Sequence, residues 1–300
     1  MSNSIALVEK MLPLLDEVYK ASAKSAGLEA PAEFVRESAD ANSVKIAKMA
    51  LVGLGNYSKA SGFPDGDISL SWETHQFTND RGRRFSIDRM DNVESFGLVA
   101  ARLVGEFMRT EVIPEVDAYR FAKIAAKANT TVSANLTSST TKAALDTAIV
   151  ALEEKEVDDS RMVIFMTPTV AQNLSDNISR TTINGDKNVN NIIETYNGIQ
   201  IVRVPQTRFY SAITLNSGSS SDAGGYAKTS ASTGVSAGKN LNFIVMDRNA
   251  CYNVTKLNVA KIFTPDENQS KDAWQFDFRL YHDTFVLDNK KDGIYVHTVA

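Results

Sequence analysis

Hydrophobic residues recur at helical spacing in two segments, the first of which lies near the start of the chain. Over residues 4–25 they fall three or four positions apart, at Ile5, Val8, Leu12, Leu15 and Tyr19. This spacing predicts an amphipathic helix, which Pro13 kinks or splits because proline lacks a backbone donor. The pattern leaves open whether this helix packs on its own core or is an arm that packs on a neighbouring subunit.

The second helical pattern, residues 96–128, is long for a chain of this size. Its apolar face carries Leu98, Ala101, Val104, Phe107 and Met108. Pro114 interrupts the hydrogen-bond ladder, so we expect one long helix or two in line, with a kink near Ile113. At about 1.5 Å per residue the segment spans roughly 50 Å, which is typical of a structural spine rather than of a compact core.

Alternating apolar and polar residues between positions 66 and 89 predict two β-strands. Residues 79–83 between them read Asn-Asp-Arg-Gly-Arg, which favours a turn with Gly82 at positive φ. We therefore expect a long β-hairpin with a charged tip, which is marginal alone and folds back or lies on a neighbour. Its apolar positions are Ile68, Leu70, Trp72, Phe85 and Ile87.

The pattern of the rest of the chain, from about residue 140 onward, predicts a small α/β segment followed by the closing β-strands. Residues 216–240 are rich in Ser, Gly, Thr and Ala and predict a mobile surface loop. The predicted helices are 142–156, capped by Thr140 or Thr141, and 168–178. The predicted strands are 161–166, 199–204, 241–246, 274–281 and 294–299.

The composition is that of a folded protein without a general affinity for nucleic acid. Of 300 residues, 43% are hydrophobic and 23% charged, which excludes wholesale disorder. The net charge of −4 does not provide the basic face of a DNA or RNA binder. Cys251 is the single cysteine, so no intrachain disulfide is possible and a reducing compartment is expected. No apolar run is long enough to predict a membrane span.

Known catalytic patterns are absent, and we expect no catalytic, cofactor-binding or metal-binding residue. The sequence contains neither a Gly-rich phosphate loop nor a nucleophile elbow. His75, His282 and His297 each lack a second ligand at metal spacing, so each is expected to be a surface or packing residue. Two alternatives stay open: a soluble α/β binding module with 216–240 as its binding edge, and an enzyme with scattered carboxylates.

The order of parts resembles the major capsid proteins of tailed bacteriophages. Residues 77–88 are similar to the extended loop of that family, and residues 105–109 and 113–120 to its spine helix. Further similar segments are 90–94, 166–170, 278–286 and 293–296. The resemblance implies an α+β fold of the Hong Kong phage type, which encapsulins and the floor of herpesvirus capsids share.

The resemblance also implies an assignment of parts. Residues 1–60 would be the N-terminal arm, and 61–95 the extended β-hairpin loop over the adjacent subunit. Residues 96–133 and 251–300 would form the peripheral domain with the spine helix, and 134–250 the axial α/β domain. Contacts between subunits are expected in the extended loop, at Arg81, Arg83, Arg84, Arg89, Asp80, Asp88, Trp72 and Phe85.

The implied function is structural: a non-enzymatic coat subunit that self-assembles into the icosahedral head around the double-stranded DNA of a tailed phage or prophage. Its partners would be further copies of itself in pentamers and hexamers, a separate scaffolding protein, a portal, a decoration protein and weakly contacted DNA. It would assemble in the bacterial host cytoplasm and reside in the virion. An encapsulin-like cellular shell is the near alternative.

Some members of the family cross-link a lysine of the extended loop to a neighbour's asparagine. Between Lys59 and Lys123 this chain has no lysine. Arginine cannot replace lysine in that chemistry because its guanidinium stays protonated. We therefore expect the loop to hold its neighbour through charge pairs, hydrogen bonds and apolar contacts alone.

Overall fold

The computed structural model describes residues 23–28, 36–37, 43–59, 62–63, 65–94, 98–177, 193–219 and 222–300. Within these ranges the chain forms five α-helices and 14 strands. The predicted helix over 4–25 lies outside the described residues, apart from its last three positions. In chain order the first elements are β1 (Arg36–Glu37), β2 (Ser43–Leu51), β3 (Ile68–Gln76), β4 (Asn79–Asp88), α1 (Arg89–Glu94), α2 (Leu98–Phe107), α3 (Ile113–Lys127) and β5 (Thr130–Ser133).

The second half of the chain alternates helices and strands before ending in β-structure. Its elements are α4 (Ser138–Glu153), β6 (Met162–Met166), α5 (Pro168–Asn177), β7 (Thr195–Tyr196), β8 (Ile199–Arg203), β9 (Ile213–Leu215), β10 (Tyr226–Lys228), β11 (Leu241–Asp247), β12 (Cys251–Phe263), β13 (Ala273–Val286) and β14 (Ile294–Thr298). The strands predicted at 161–166, 199–204, 241–246 and 294–299 and the helix at 168–178 are confirmed.

A six-stranded sheet in the order β5-β14-β11-β6-β8-β7 carries the main core. Every residue of β6, β11 and β14 is buried, because helices cover both faces of the sheet. One apolar cluster packs α4 and α5 on one face, and another packs α3 on the other face. The predicted helix at 142–156 starts earlier, at Ser138, because Thr137 caps it in a reciprocal pair with Thr140.

The six-stranded sheet joins strands from two parts of the predicted domain assignment. Strands β5 and β14 were expected in the peripheral domain, and β14 pairs with β11 and with β5. Every residue of β14 is buried between these two neighbours. The domain boundaries stay a prediction.

The long helix predicted at 96–128 is confirmed, and its irregularity has a local cause. A π-helical turn, Met108–Val112, joins α2 to α3, which has Pro114 in its first turn. Pro114 has no backbone N–H to donate, and the wider π turn accommodates it without ending the helix. In this turn the Ile113 backbone N–H donates to the Met108 carbonyl. At about 1.5 Å per residue the whole helical run is roughly 45 Å long.

A second sheet, in the order β12-β13-β4, lies beside this helix. The Phe276, Phe278 and Leu280 side chains of β13 pack against Val104, Phe107 and Val112 of the helical run. The alternation predicted around residues 274–281 is therefore confirmed. Strand β12, its 13-residue partner, was not predicted.

The predicted hairpin within 66–89 is wrong in its pairing, although both strands exist. Strand β3 pairs with β2, and β4 pairs with β13. Residues 79–83, predicted as the turn, lie inside β4. A Cβ atom at Gly82 would lie 2.9 Å from the Phe278 carbonyl oxygen, so glycine here permits close approach of two strands instead of a turn.

The protruding hairpin of this chain is instead β2 with β3, residues 43–76, called the β2–β3 hairpin below. Its tip, the hairpin tip, is residues 52–67, of which 52–59, 62–63 and 65–67 are described. This hairpin contains Lys45, Lys48 and Lys59. The predicted extended loop, residues 61–95, contains no lysine, and the expectation that it holds its neighbour without a covalent link stays a prediction.

Candidate assembly interface

One face of the β2–β3 hairpin is apolar and exposed. Leu51 lies opposite Ile68 and Met49 opposite Leu70, and Trp72 follows two residues further on the same face. These five side chains are between 52% and 74% exposed. A contiguous apolar patch of this kind on a soluble protein marks an interaction surface.

The hairpin tip extends the apolar surface. Leu54 is fully exposed, and the Phe63 side chain is 85% exposed. The Tyr57 and Phe63 rings lie 5.0 Å apart between centroids, and a backbone bridge joins Ser58 to Gly62. Tyr57 and Phe63 thus contact each other at the hairpin tip, and both rings are exposed.

The strands of the β2–β3 hairpin form a sheet only with each other and with the two-residue β1. An isolated ribbon of two strands is marginally stable at best in water. Its apolar face therefore gains most by lying on another surface. The sequence analysis placed Ile68, Leu70 and Trp72 on one face of a strand but did not identify β2 as the strand that pairs with them. The glycine-rich stretch between β2 and β3 is typical of a hairpin connection and could have indicated this pairing.

The charged residues expected at subunit contacts have partners within their own chain. Arg84 bonds Asp277 at 2.8 and 2.9 Å, and Arg279 bonds Asp80 at 3.0 and 2.5 Å. These hydrogen bonds hold the pKa values of Asp80 and Asp277 below their usual range. The pairs form a polar ladder across the face of β4 and β13 that does not contact the helix.

The other predicted contact residues are also engaged. Arg89 lies 2.5 Å from Asp266 and 3.0 Å from Asp272, and Asp88 accepts from the Met90 backbone N–H at 2.9 Å. Phe85 packs edge-on against Phe107, with 4.9 Å between centroids. Trp72 alone among the predicted contact residues lies on the unsupported hairpin. The others remain predicted contacts that must act in addition to these bonds.

Arg81 and Arg83 hold a glycine-rich loop against the helical run. The Arg81 guanidinium bonds Glu115 of α3 at 2.6 Å and the carbonyl oxygens of Asn216 and Gly225 at 2.7 and 3.2 Å. Arg83 donates to the Gly218 carbonyl at 3.3 Å. The segment 216–240 was predicted to be a mobile surface loop. Its residues Asn216, Gly218 and Gly225 bond to arginines of β4, and Tyr226–Lys228 pairs as β10 with β9.

A groove of about 260 Å³ lies between β4, the π turn and this loop. Phe107, Phe278 and Leu280 form its apolar wall, and Gly218, Ala223 and Gly224 form an opposite rim without large side chains. The buried His282 also lines it, and burial lowers the pKa of that imidazole to about 4. The groove is large enough for an aromatic side chain and apolar enough to receive one.

Buried charge is concentrated at one point of the α3 surface. Asp117, fully buried, accepts hydrogen bonds from Lys24 N, Ser25 N and Ser25 Oγ, and lies 3.0 Å from the equally buried Arg208. This cluster fixes the segment 23–28 to the long helix. It is a structural tie, because it joins residues that lie more than 90 positions apart in the chain.

Within the described residues, no group of His, Cys, Asp and Glu has the arrangement of a metal site. His282 and His297 are buried packing residues, as predicted. Cys251 is buried as well, and burial raises the pKa of its thiol to about 12, so it is a core residue without nucleophilic character. No helix among the described residues is long and apolar enough to cross a membrane.

No protein-family model matches the chain, and no curated protein matches its sequence. Solved structures do match its fold. A structure from Mycobacterium phage Che8 is 14% identical, with a TM-score of 0.66 and 97% of each chain covered. The mature capsid of bacteriophage PhiM1 is 13% identical, with a TM-score of 0.68, covering 98% of this chain and 92% of that one.

The capsid of the cyanophage P-SCSP1u is 15% identical, with a TM-score of 0.66, covering 98% of this chain and 93% of that one. The capsid of an empty GTA particle also matches, with a TM-score of 0.58 and 11% identity over 98% of this chain and 95% of that one. At these identities the likeness concerns the fold. It extends over almost the whole chain, and the chain therefore has a mixed fold of helices and strands like that of phage capsid structures. The α+β fold of the Hong Kong phage type is confirmed at this level, and its division into arm, extended loop, spine and domains stays a prediction.

Proposed function

We propose that this chain is a coat subunit that self-assembles into the icosahedral head around the double-stranded DNA of a tailed phage or prophage. The observation that carries the proposal is the fold shared with phage capsids over 97–98% of the chain. On this proposal the protein is structural, works in the virion and is assembled in the cytoplasm of a bacterial host.

The β2–β3 hairpin supports the same proposal on physical grounds. Its apolar face, with Leu51, Ile68 and Leu70 more than half exposed, is covered by nothing in the described part of its own chain. A neighbouring copy supplies the missing surface. When such a contact joins two different patches, it repeats from copy to copy and closes into rings, which are the pentamers and hexamers of a shell.

The proposed parts follow the structure. The extended loop is the β2–β3 hairpin, residues 43–76, in place of 61–95. The spine is the helical run from Leu98 to Lys127. The segment 134–250, with β5 and β14 added to its sheet, is the axial domain, and the β12-β13-β4 sheet belongs to the peripheral domain. The arm is the chain before residue 43.

The further partners follow from this role. A separate scaffolding protein directs assembly, a portal occupies one vertex, and a decoration protein is an additional candidate. DNA is held only by weak, non-specific contact, consistent with a net charge of −4. A cellular shell of the encapsulin kind is the alternative.

Sedimentation of the purified protein tests the proposal. The expected result is a uniform species many times heavier than the 32.8 kDa chain. A single 32.8 kDa species at every concentration, with and without co-expressed phage proteins, would contradict it. Nuclease-resistant DNA inside particles from an induced host indicates a phage head, and particles that contain protein cargo and no DNA indicate a cellular shell.

A further inference from the structure

We infer that the groove beside Arg83 is the docking site for the hairpin tip of a second copy of this chain, with Phe63 as the side chain that enters it. The inference rests on the proposed shell function. It adds which surface receives the tip and which residues decide the fit.

The groove is built to receive a side chain. Its wall is aromatic and aliphatic, and its opposite rim consists of Gly218, Ala223 and Gly224, which leave the mouth open. Arg81 fixes this rim to the helical run through its bonds to Glu115 and to the Asn216 and Gly225 carbonyl oxygens. Arg81 thus acts at the interface indirectly, by holding the receiving surface in shape.

The hairpin tip has the complementary shape. Phe63 is 85% exposed and Leu54 fully exposed, so the tip presents an aromatic ring and an aliphatic group without cover. Neither residue lines the groove of its own chain. The β2–β3 hairpin carries the tip outward by nine residues per strand, roughly 30 Å at ~3.3 Å per residue.

The charges around the two surfaces are complementary. Arg83 and Glu111 are exposed at the groove. The tip places Asp65 and Asp67 after Phe63 and Lys59 before it. The inferred docking pairs the two acids of the tip with Arg83 and the lysine with Glu111. Opposite charges around an apolar insertion fix its register and exclude the reversed orientation.

Disulfide trapping in assembled particles tests this contact. Phe63→Cys combined with Ala223→Cys places one thiol on the tip and one at the groove rim, and a disulfide requires Cβ atoms roughly 4 Å apart. After mild oxidation we expect linked chains at multiples of 32.8 kDa on denaturing gels, which collapse to one band on reduction. The native Cys251 does not compete, because it is 1% exposed.

The matched control pairs Phe63→Cys with Val150→Cys, an exposed position on α4 away from the groove, and is expected to stay monomeric on the gel. Particles of the first variant that give no ladder, or no more than the control, overturn the docking site while the shell function stands. A native chain that forms no particles overturns the proposed function itself.

Charge exchange provides a second test if the cysteine variant assembles poorly. Arg83→Glu is expected to lower particle yield about tenfold. Adding Asp65→Lys and Asp67→Lys in the same chain is expected to restore the yield to near the native value, because the new lysines face the new acid. Equal yields from the single and the combined variants would contradict the inferred pairing.

Discussion

At the scale of single residues, Asp117 is the residue whose replacement we expect to lower the stability of the subunit most. Its carboxylate is fully buried, bonds the backbone of residues 24 and 25, and pairs with the buried Arg208. Breaking a buried pair leaves a desolvated charge without its partner. We expect Asp117→Asn to lower the free energy of unfolding of the unassembled subunit by about 3 kcal/mol, measured by urea denaturation.

Asp80→Asn is the matched control, because Asp80 also pairs with an arginine, Arg279, but both side chains are at least 40% exposed. Solvent screening limits such a pair to about 1 kcal/mol or less. Equal losses for Asp117→Asn and Asp80→Asn would mean that the buried pair does not hold the segment 23–28 as described.

His282 makes stability depend on pH in a defined window. Burial holds its folded pKa near 4, against 6.5 in the unfolded chain, so below pH 6.5 the unfolded state binds the proton more tightly. Stability is then complete above pH 6.5 and falls by roughly 3 kcal/mol as pH falls to 4. Denaturation of the unassembled subunit across this range measures it.

His282→Gln removes the titrating group and is expected to flatten this dependence without abolishing it, since the pKa of His297 is lowered too. Carboxylates with lowered pKa values, among them Asp80 and Asp277, lose their stabilising charge mainly at more acidic pH, so the change between pH 6.5 and 4 comes chiefly from the histidines. Identical pH profiles for the native chain and the variant would contradict a buried neutral His282.

Single residues also show which structural roles could not be predicted from the sequence. Gly82 was interpreted as a turn residue, because a glycine amid Asn, Asp and Arg is typical of turns. The structure uses it for the close approach of β4 to β13, a long-range contact that local sequence does not encode. Cys251 was interpreted as a small core residue, and the structure buries it, because an isolated cysteine amid apolar residues packs like any small apolar side chain.

At the scale of elements, we expect the apolar face of the β2–β3 hairpin to matter for assembly and not for the folding of the subunit. Its apolar side chains are exposed, so removing them leaves the core of the subunit unchanged. Replacing Leu70 and Trp72 together with Ser is expected to leave the melting temperature of the unassembled subunit within the few degrees that about 0.5 kcal/mol causes. The same variant is expected to form no particles, as judged by sedimentation.

Val150→Ser is the control, because Val150 is 51% exposed on α4, outside the proposed interface. It should assemble like the native chain. Normal particles from the Leu70 and Trp72 variant, or loss of particles from the Val150 variant, would show that the apolar face of the hairpin is not an assembly surface.

Elements with strong local patterns were predictable, and their partners were not. The buried runs of β6 and β11 and the helix after Thr167 were recognised from composition, spacing and Pro168. The β2 strand carries charged residues among apolar ones and was not recognised, so β3 was paired with the wrong strand. Pairing depends on contacts between distant segments, which a single sequence does not display.

At the scale of the whole molecule, the charge of the subunit bears on how it meets DNA. Affinity for duplex DNA comes largely from phosphate neutralisation by clustered Lys and Arg. The net charge is −4, and Arg81, Arg84 and Arg89 are engaged by carboxylates of their own chain. We expect no measurable duplex binding by the free subunit at ~0.15 M salt.

Fluorescence anisotropy of a labelled duplex measures this directly, with a Lys- and Arg-rich DNA-binding protein as the positive control. Micromolar binding by the subunit at that salt concentration would contradict the proposal that the shell contacts its DNA only weakly.

Electron cryomicroscopy of the purified protein tests the central claim most directly, because the fold shared with phage capsids and the uncovered β2–β3 hairpin both predict association of many copies. The account predicts closed icosahedral shells of uniform size, in which every β2–β3 hairpin lies on a neighbouring copy. Separate 32.8 kDa molecules from preparations made both with and without co-expressed phage proteins, or shells whose hairpins fold back on their own subunits, would contradict it.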